Sequence, residues 1–201
     1  MRYGMVLDLK RCIGCYACQM ACKAEHNTPP GVFWARVLEK EEGHYPTARK
    51  IFFPHLCYHC QEPPCLDICP SGATTKREDG IVFVDYDVCV GCRACMMACP
   101  YQNRYYWGKP KDTMYFSKTP DPYEITAPQE FQRGVAQKCD FCRERLEKGL
   151  EPACVVTCPT EARTFGDLDN PESEVSRLIK DRKGFQIQPE LGTDPSVYYV
   201  Q

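Results

Sequence analysis

The apolar residues of this chain come in short runs, and the runs set the scale of its secondary structure. Tyr3-Gly4-Met5-Val6-Leu7-Asp8 and Ile81-Val82-Phe83-Val84-Asp85 are rich in branched and aromatic side chains and predict strands. Each leads into a cysteine-rich stretch within a few residues. Behind those stretches, Tyr16 to Lys23 and Arg93 to Cys99 predict short helical turns, too short to stand without something bound beside them. After the break at Pro29-Pro30-Gly31, Val32 to Glu39 alternates well enough to predict a strand, with Arg49 to Pro54 as its partner. Between Tyr101 and Gln137 no period emerges. Tyr101, Tyr105, Tyr106, Trp107, Tyr115, Phe116, Tyr123 and Phe131 are scattered there among prolines and charges, which predicts an extended loop or β excursion. A last helix, about Pro171 to Arg182, is signalled by Asn170 as N-cap, Pro171 at the first position, Glu172 and Glu174 in the first turn, and Arg177, Lys180 and Arg182 late. Past Gly184 the tail, with Gly192, Thr193, Pro195, Tyr198 and Tyr199, has no helical pattern and is expected to lie along another subunit. No apolar run approaches the roughly 18 residues that a membrane helix needs.

Elements this short bury little apolar surface, and 17 prolines and 13 glycines confirm that turns dominate. Cysteine changes the picture. It supplies 16 of 201 residues, about 8 %, close to the range where it organises a chain. With 43 % hydrophobic residues, 26 % charged and a formal net charge of -2, the chain is neither disordered nor a basic nucleic-acid binder. Cys12 stands so near the start that a cleavable signal peptide before it is not expected.

The cysteines fall into four groups: Cys12, Cys15, Cys18 and Cys22; Cys57, Cys60, Cys65 and Cys69; Cys89, Cys92, Cys95 and Cys99; Cys139, Cys142, Cys154 and Cys158. None is left over. The first and third read C-x2-C-x2-C-x3-C, the spacing with which bacterial ferredoxins give three thiolates to one [4Fe-4S] cube and the fourth to another. The second and fourth, C-x2-C-x4-C-x3-C and C-x2-C-x11-C-x3-C, keep the opening x2 and the closing x3. Three close thiolates let a short loop wrap one corner of a cube with its N–H groups towards the sulfur. The x3 step, about one helical turn, aims the fourth thiolate elsewhere. Proline follows the last cysteine in Cys69-Pro70, Cys99-Pro100 and Cys158-Pro159, as in the bacterial run. Gly14 and Gly91 stand where backbone must crowd a cube.

Zinc ribbons also use C-x2-C pairs, but they seldom need a triple C-x2-C-x2-C, and this chain has two. Disulfides would need an oxidising compartment, and cysteines two residues apart in tight loops bridge poorly. There is no dinucleotide fingerprint, P-loop, nucleophile elbow or H-E-x-x-H. His26, His44, His55 and His59 are expected to be solvated or to cover the clusters, since the cysteines are already complete in fours. Four cubes with their thiolates add roughly -2 each when oxidised, and Lys10, Arg11, Lys23, Arg93, Lys138, Arg143 and Arg145 beside the motifs are candidates to offset it.

On Cys12-Ile13-Gly14-Cys15-Tyr16-Ala17-Cys18, Cys57-Tyr58-His59-Cys60-Gln61-Glu62-Pro63-Pro64-Cys65, Cys99-Pro100-Tyr101, Lys138-Cys139-Asp140-Phe141-Cys142, Pro152-Ala153-Cys154, Cys158-Pro159-Thr160 and Gly166-Asp167-Leu168, the chain resembles the four-cluster iron-sulfur (beta) subunit of the molybdopterin oxidoreductase (DMSO reductase) superfamily, as in polysulfide, thiosulfate, arsenate and tetrathionate reductases. The resemblance covers almost the whole length. It implies an α+β fold of two interlocked bacterial-ferredoxin-like domains, with short strands, short helices and long loops around iron-sulfur clusters. Residues 1–31 plus 138–170 would form the first domain and 55–101 the second, with 32–54 and 102–137 as connecting segments and 171–201 as a C-terminal helix and tail in subunit contact.

The resemblance also implies the ligand sets. Cys12, Cys15 and Cys18 would share a cluster with Cys158, and Cys139, Cys142 and Cys154 with Cys22. Cys57, Cys60 and Cys65 would take Cys99, while Cys89, Cys92 and Cys95 would take Cys69. No residue would be catalytic. The implied function is relay of electrons through four [4Fe-4S] clusters between an integral-membrane quinone-reactive subunit and a molybdenum or tungsten bis-pterin catalytic subunit, with no nucleic acid involved. The first domain would lie nearer the catalytic partner. Association with a membrane would be through partners, on the periplasmic face if co-exported and otherwise in the cytoplasm. A formate dehydrogenase, a hydrogenase or a soluble reductase could use the same subunit type, and a structural zinc module is the remote alternative.

Overall fold

The computed structural model describes residues 1–108 and 132–201. β1 (Tyr3–Asp8) is the centre of the largest sheet because Met5, Val6 and Leu7 are buried on both its faces. Antiparallel β8 (Arg163–Asp167) pairs with it from Tyr3↔Asp167 to Leu7↔Arg163. Parallel β9 (Val197–Val200) runs along its other edge from Met5↔Val197 to Asp8↔Val200. The chain end expected along another subunit is thus a strand of the chain's own sheet. Val197, Tyr199 and Val200 are buried, and the Tyr199 hydroxyl donates to the Pro54 carbonyl at 2.8 Å.

α1 (Ala17–His26) is longer than the predicted turn and packs on α5 (Ala153–Val156), bringing the first cysteine group against the fourth. In the same way α2 (Pro64–Asp67) packs on α3 (Ala94–Ala98), and β4 (Thr74–Lys76) pairs with β5 (Val82–Val84), bringing the second group against the third. The hairpin β2 (Arg36–Glu42) and β3 (Arg49–His55) starts later than the alternation predicts. The reason is Lys23, whose ammonium donates to the carbonyls of Thr28, Pro29 and Val32 at 2.9, 2.9 and 3.2 Å and holds residues 28–32 as a folded loop.

The stretch from Tyr101 is partly the predicted β excursion. β6 (Tyr105–Tyr106) pairs with β7 (Ala136–Gln137), whereas Tyr115, Phe116, Tyr123 and Phe131 lie outside the described residues. α4 (Arg143–Glu147) follows the fourth group's opening pair. The last helix, α6, is Glu174–Asp181, not Pro171 to Arg182. Ser173 is its N-cap and accepts from the Ser176 N–H at 3.2 Å, while Asn170 Oδ1 accepts from the Glu172 N–H and turns the chain ahead of the helix.

Candidate iron-sulfur sites

Each opening C-x2-C loop bends at the same place. The residue before the second cysteine is left-handed in all four groups, with φ of 68° at Gly14, 44° at His59, 66° at Gly91 and 58° at Phe141. At the first and third groups the neighbours forbid a side chain. A Cβ on Gly14 would stand 2.2 Å from the Phe52 ring, and one on Gly91 2.1 Å from the Gly134 carbonyl oxygen. The crowding expected from a cube therefore comes also from the protein. At the second and fourth groups the same position carries the buried rings of His59 and Phe141, stacked with centroids 3.7 Å apart.

The loops close on cavities lined with sulfur. Cys12, Cys15, Cys18 and Cys158 line one of about 330 Å³, with Arg163 in its wall. Cys57, Cys60, Cys65 and Cys99 line another of about 370 Å³, with Arg104. Cys69, Cys89, Cys92 and Cys95 line a third of about 300 Å³. The remaining four, Cys22, Cys139, Cys142 and Cys154, are all buried and raise one another's thiols after desolvation, so they too face a common point. We refer to the four as the Cys12, Cys57, Cys69 and Cys22 sites. None of the sixteen cysteines forms a disulfide. Among the described residues no three His, Cys, Asp or Glu side chains converge tightly enough for a single ion.

The donor chemistry points the same way. Burial pushes the thiols of Cys22, Cys139 and Cys142 far up, so a ring of thiolates there needs cations at its centre, which iron provides. Burial also raises Cys60, to about 12. At Cys69 burial acts upward too, but donors from Thr74 and Ser71 outweigh it and bring the thiol down to about 7. Backbone N–H groups already aim at sulfur: Thr74 at Cys69 (3.5 Å), Asn103 at Cys99 (3.5 Å), Ala136 at Cys89 (3.4 Å) and Ala162 at Cys158 (3.3 Å).

The sites also form a line. Cys154 and Cys18 are within electrostatic reach of each other and lie 3.8 and 3.3 Å from the Arg163 guanidinium, which joins the Cys22 site to the Cys12 site. Cys139 is within electrostatic reach of Cys57, and Cys95 of Cys65, which continues the order to the Cys57 and Cys69 sites. At the central step the His59–Phe141 stack joins the two inner loops. Tyr105, with its hydroxyl buried, bears on Cys57, Cys139 and Cys22. The ends of the line are open. Cys15 and Cys92 are the exposed cysteines, beside exposed Ile13 (57 %) and Val90 (69 %).

Sequence reasoning placed the compensating charge imperfectly. Lys23 and Lys138 donate to backbone carbonyls, of residues 28–32 and of Val82 and Cys139 respectively, while acting electrostatically on Cys22 and Cys139. Arg93 lies over the Tyr106 ring, Arg145 pairs with Glu25, and Arg11 and Arg143 pair with Asp8 and Asp140. The guanidinium groups that do reach sulfur, Arg104 and Arg163, were missed. A usable signal was present: each stands five residues after a Cys-Pro cysteine, Cys99 and Cys158. Of the histidines, His44 is exposed and the other three are buried. His26 Nε2 lies 3.2 Å from Cys142 Sγ, its ring against Trp34.

Comparison with known proteins points to the same cofactor. The 4Fe-4S dicluster domain family matches residues 48–118 and 109–168, and the 4Fe-4S binding domain family residues 3–24. A selenate reductase subunit of Mesobacillus selenatarsenatis is 44 % identical over all of this chain and 72 % of its own. The iron-sulfur subunit of the arsenate respiratory reductase of a Shewanella species is 39 % identical, over all of this chain and 97 % of its own. The chain belongs to the four-cluster iron-sulfur (beta) subunits of the molybdopterin oxidoreductases. A sulfite dehydrogenase subunit of Allochromatium vinosum, 39 % identical over 98 % of this chain and 82 % of its own, is a further relative. As a member of that family the chain is an electron-transfer subunit with four [4Fe-4S] clusters, built from dicluster ferredoxin-like domains of short helices and short strands. No helix among the described residues is long and apolar enough to cross a membrane.

Proposed function

We propose that the four cubes are held by Cys12, Cys15, Cys18 and Cys158; by Cys139, Cys142, Cys154 and Cys22; by Cys57, Cys60, Cys65 and Cys99; and by Cys89, Cys92, Cys95 and Cys69. The observation that carries this reading is the line of sulfur rings, buried in the middle and open at Cys15 and Cys92. Bound there, the clusters supply one-electron chemistry. The chain's own part is to orient thiolates, donate N–H to sulfur, exclude water from the inner sites and set the distances between them. The packing supports two interlocked halves, residues 1–31 plus 138–170 and residues 55–101, joined by 32–54 and 102–137.

On this reading the chain carries electrons between an integral-membrane quinone-reactive subunit and a molybdenum or tungsten bis-pterin catalytic subunit, the Cys12 end nearer the latter. A complex of that kind would bring the chain to a membrane through its partners. The deciding experiment is iron and acid-labile sulfide per chain on anaerobically purified protein, with an EPR redox titration of the parent and of Cys95→Ser. About 16 of each are expected in the parent, with one cluster damaged in the variant and quinone-linked turnover lost. Zinc without sulfide, or a variant with four intact clusters and unchanged turnover, would overturn the proposal.

A further inference from the structure

Two arginines are buried where an isolated charge is expensive, and both are turned towards sulfur. Arg163, 4 % exposed, aims one guanidinium nitrogen at Cys18 Sγ (3.3 Å) and the other at Cys154 Sγ (3.8 Å). Those sulfurs belong to different rings, the Cys12 site and the Cys22 site. Arg104, also 4 % exposed, aims one nitrogen at Cys65 Sγ (2.8 Å) in the Cys57 site and the other at Thr74 Oγ1 (3.2 Å) in the wall of the Cys69 site. The two arrangements share a plan, with a threonine hydroxyl taking the place of one sulfur at Arg104. Each arginine stands five residues beyond the last cysteine of its group, and each lies where the third cysteines of two groups approach: Cys18 and Cys154 in one half, Cys65 and Cys95 in the other.

We propose that Arg163 and Arg104 are inter-cluster positioning residues, one for each half, that hold up the reduction potentials of both cubes they separate. The inference rests on the ligand sets proposed above. When one electron arrives from the redox partner, the pair gains one negative charge and no bond is made or broken. A fixed cation between the two rings favours that gain at either ring, and the effect is large because the site is dry. A guanidinium suits the task because it stays charged and its planar fork can point at two acceptors at once. Its burial is itself explained by the pair of anions beside it, since a lone buried cation would be strongly disfavoured. The same charge opposes the repulsion between two reduced neighbours, so both members of a pair remain reducible.

The test is an anaerobic EPR redox titration of the full chain as Arg163→Gln, Arg104→Gln and the two Arg→Lys variants, with iron and sulfide counted on every sample. About 16 of each in the parent would uphold the ligand reading independently. Arg163→Gln should lower two of the four midpoint potentials and leave two alone, and Arg104→Gln should lower the other two. A tenfold loss in the reduced-to-oxidised ratio at fixed ambient potential corresponds to about 59 mV for one electron. The lysine variants, which keep the charge, should recover much of the loss. Full iron with all four potentials unmoved, or with one cluster alone shifted, would overturn the inference. If a glutamine variant does not retain its iron, the lysine variant decides: recovery of both clusters of that half supports the role of charge, and the same loss with lysine refutes it.

Discussion

Gly91→Ala should damage the Cys69 site and spare the other three. Gly91 has φ of 66°, and a Cβ there would lie 2.1 Å from the Gly134 carbonyl oxygen. Carbon and oxygen in contact normally keep about 3.3 Å, so the carbonyl must retreat by roughly 1.2 Å. Gly134 is not free to do so: its N–H donates to the Trp107 carbonyl at 2.9 Å, and it leads directly into β7, where the Ala136 N–H points at Cys89 Sγ. The left-handed conformation costs an alanine about 1–2 kcal/mol, and the overlap about 1–3 kcal/mol more. Together they approach 2–5 kcal/mol at the mouth of one site. Gly72→Ala is the control, with φ of 70° and nothing within 4 Å of the added methyl. It should cost the conformational part only. Iron and sulfide counts with thermal unfolding of anaerobic samples separate the two: Gly91→Ala should fall towards about 12 irons and Gly72→Ala should stay near about 16. Equal counts and equal unfolding temperatures would show that the Gly134 contact does not govern the loop.

His26→Leu should lower the potential of the Cys22 site by tens of millivolts, on a scale of about 59 mV per tenfold for one electron, because His26 Nε2 lies 3.2 Å from Cys142 Sγ and a cluster-bound thiolate there could only accept from it; an unmoved titration would refute the hydrogen bond. Asp8→Asn should weaken the chain by about 1.5–3 kcal/mol at neutral pH, since buried Asp8 accepts from Arg182 and from the Lys10 and Arg11 N–H groups. Burial pushes the Asp8 carboxyl up, but Arg182 and the backbone donors win and hold it below its ordinary value of 3.8. A depressed carboxyl contributes stability above that value and loses it as pH falls through the folded one. The parent should therefore lose stability on acidification below about pH 4 more steeply than the variant in anaerobic denaturant titrations; parallel curves would remove Asp8 from the account.

The four cysteine groups were legible as candidate sites because cysteine spacing is set by short-range loop geometry, which sequence records directly. β1, the β2–β3 pair and the turns behind the first and third groups were readable for the same reason, as local runs. What failed depended on distant partners. Val197-Tyr198-Tyr199-Val200 has the composition of a strand, but only the open edge of β1, nearly two hundred residues earlier, makes it one. Arg104 and Arg163 share a place five residues after a Cys-Pro cysteine, but that spacing alone does not say that Cys65, Cys18 and Cys154 will meet them. Lys23 and Lys138 serve two ends: they act electrostatically on Cys22 and Cys139, as their place in sequence suggests, while their ammonium groups also donate to carbonyl oxygens that only the fold brings near.

The left-handed corner repeated in the four loops has a consequence for timing. At Gly14 and Gly91 the corner is closed by other parts of the chain, whereas at His59 and Phe141 it carries side chains that meet ring to ring at 3.7 Å. Holding two bulky residues in that conformation costs about 1–2 kcal/mol each, and the contact between them is what the molecule receives in return. Stacked rings cannot be pressed closer, and drawing them apart would expose aromatic surface that is now buried. The gap at the middle of the line is thereby held at one length. On the proposed reading, a partner docked at either end would meet a line whose central interval is set by this chain's own packing, so the speed of the middle step would belong to this chain.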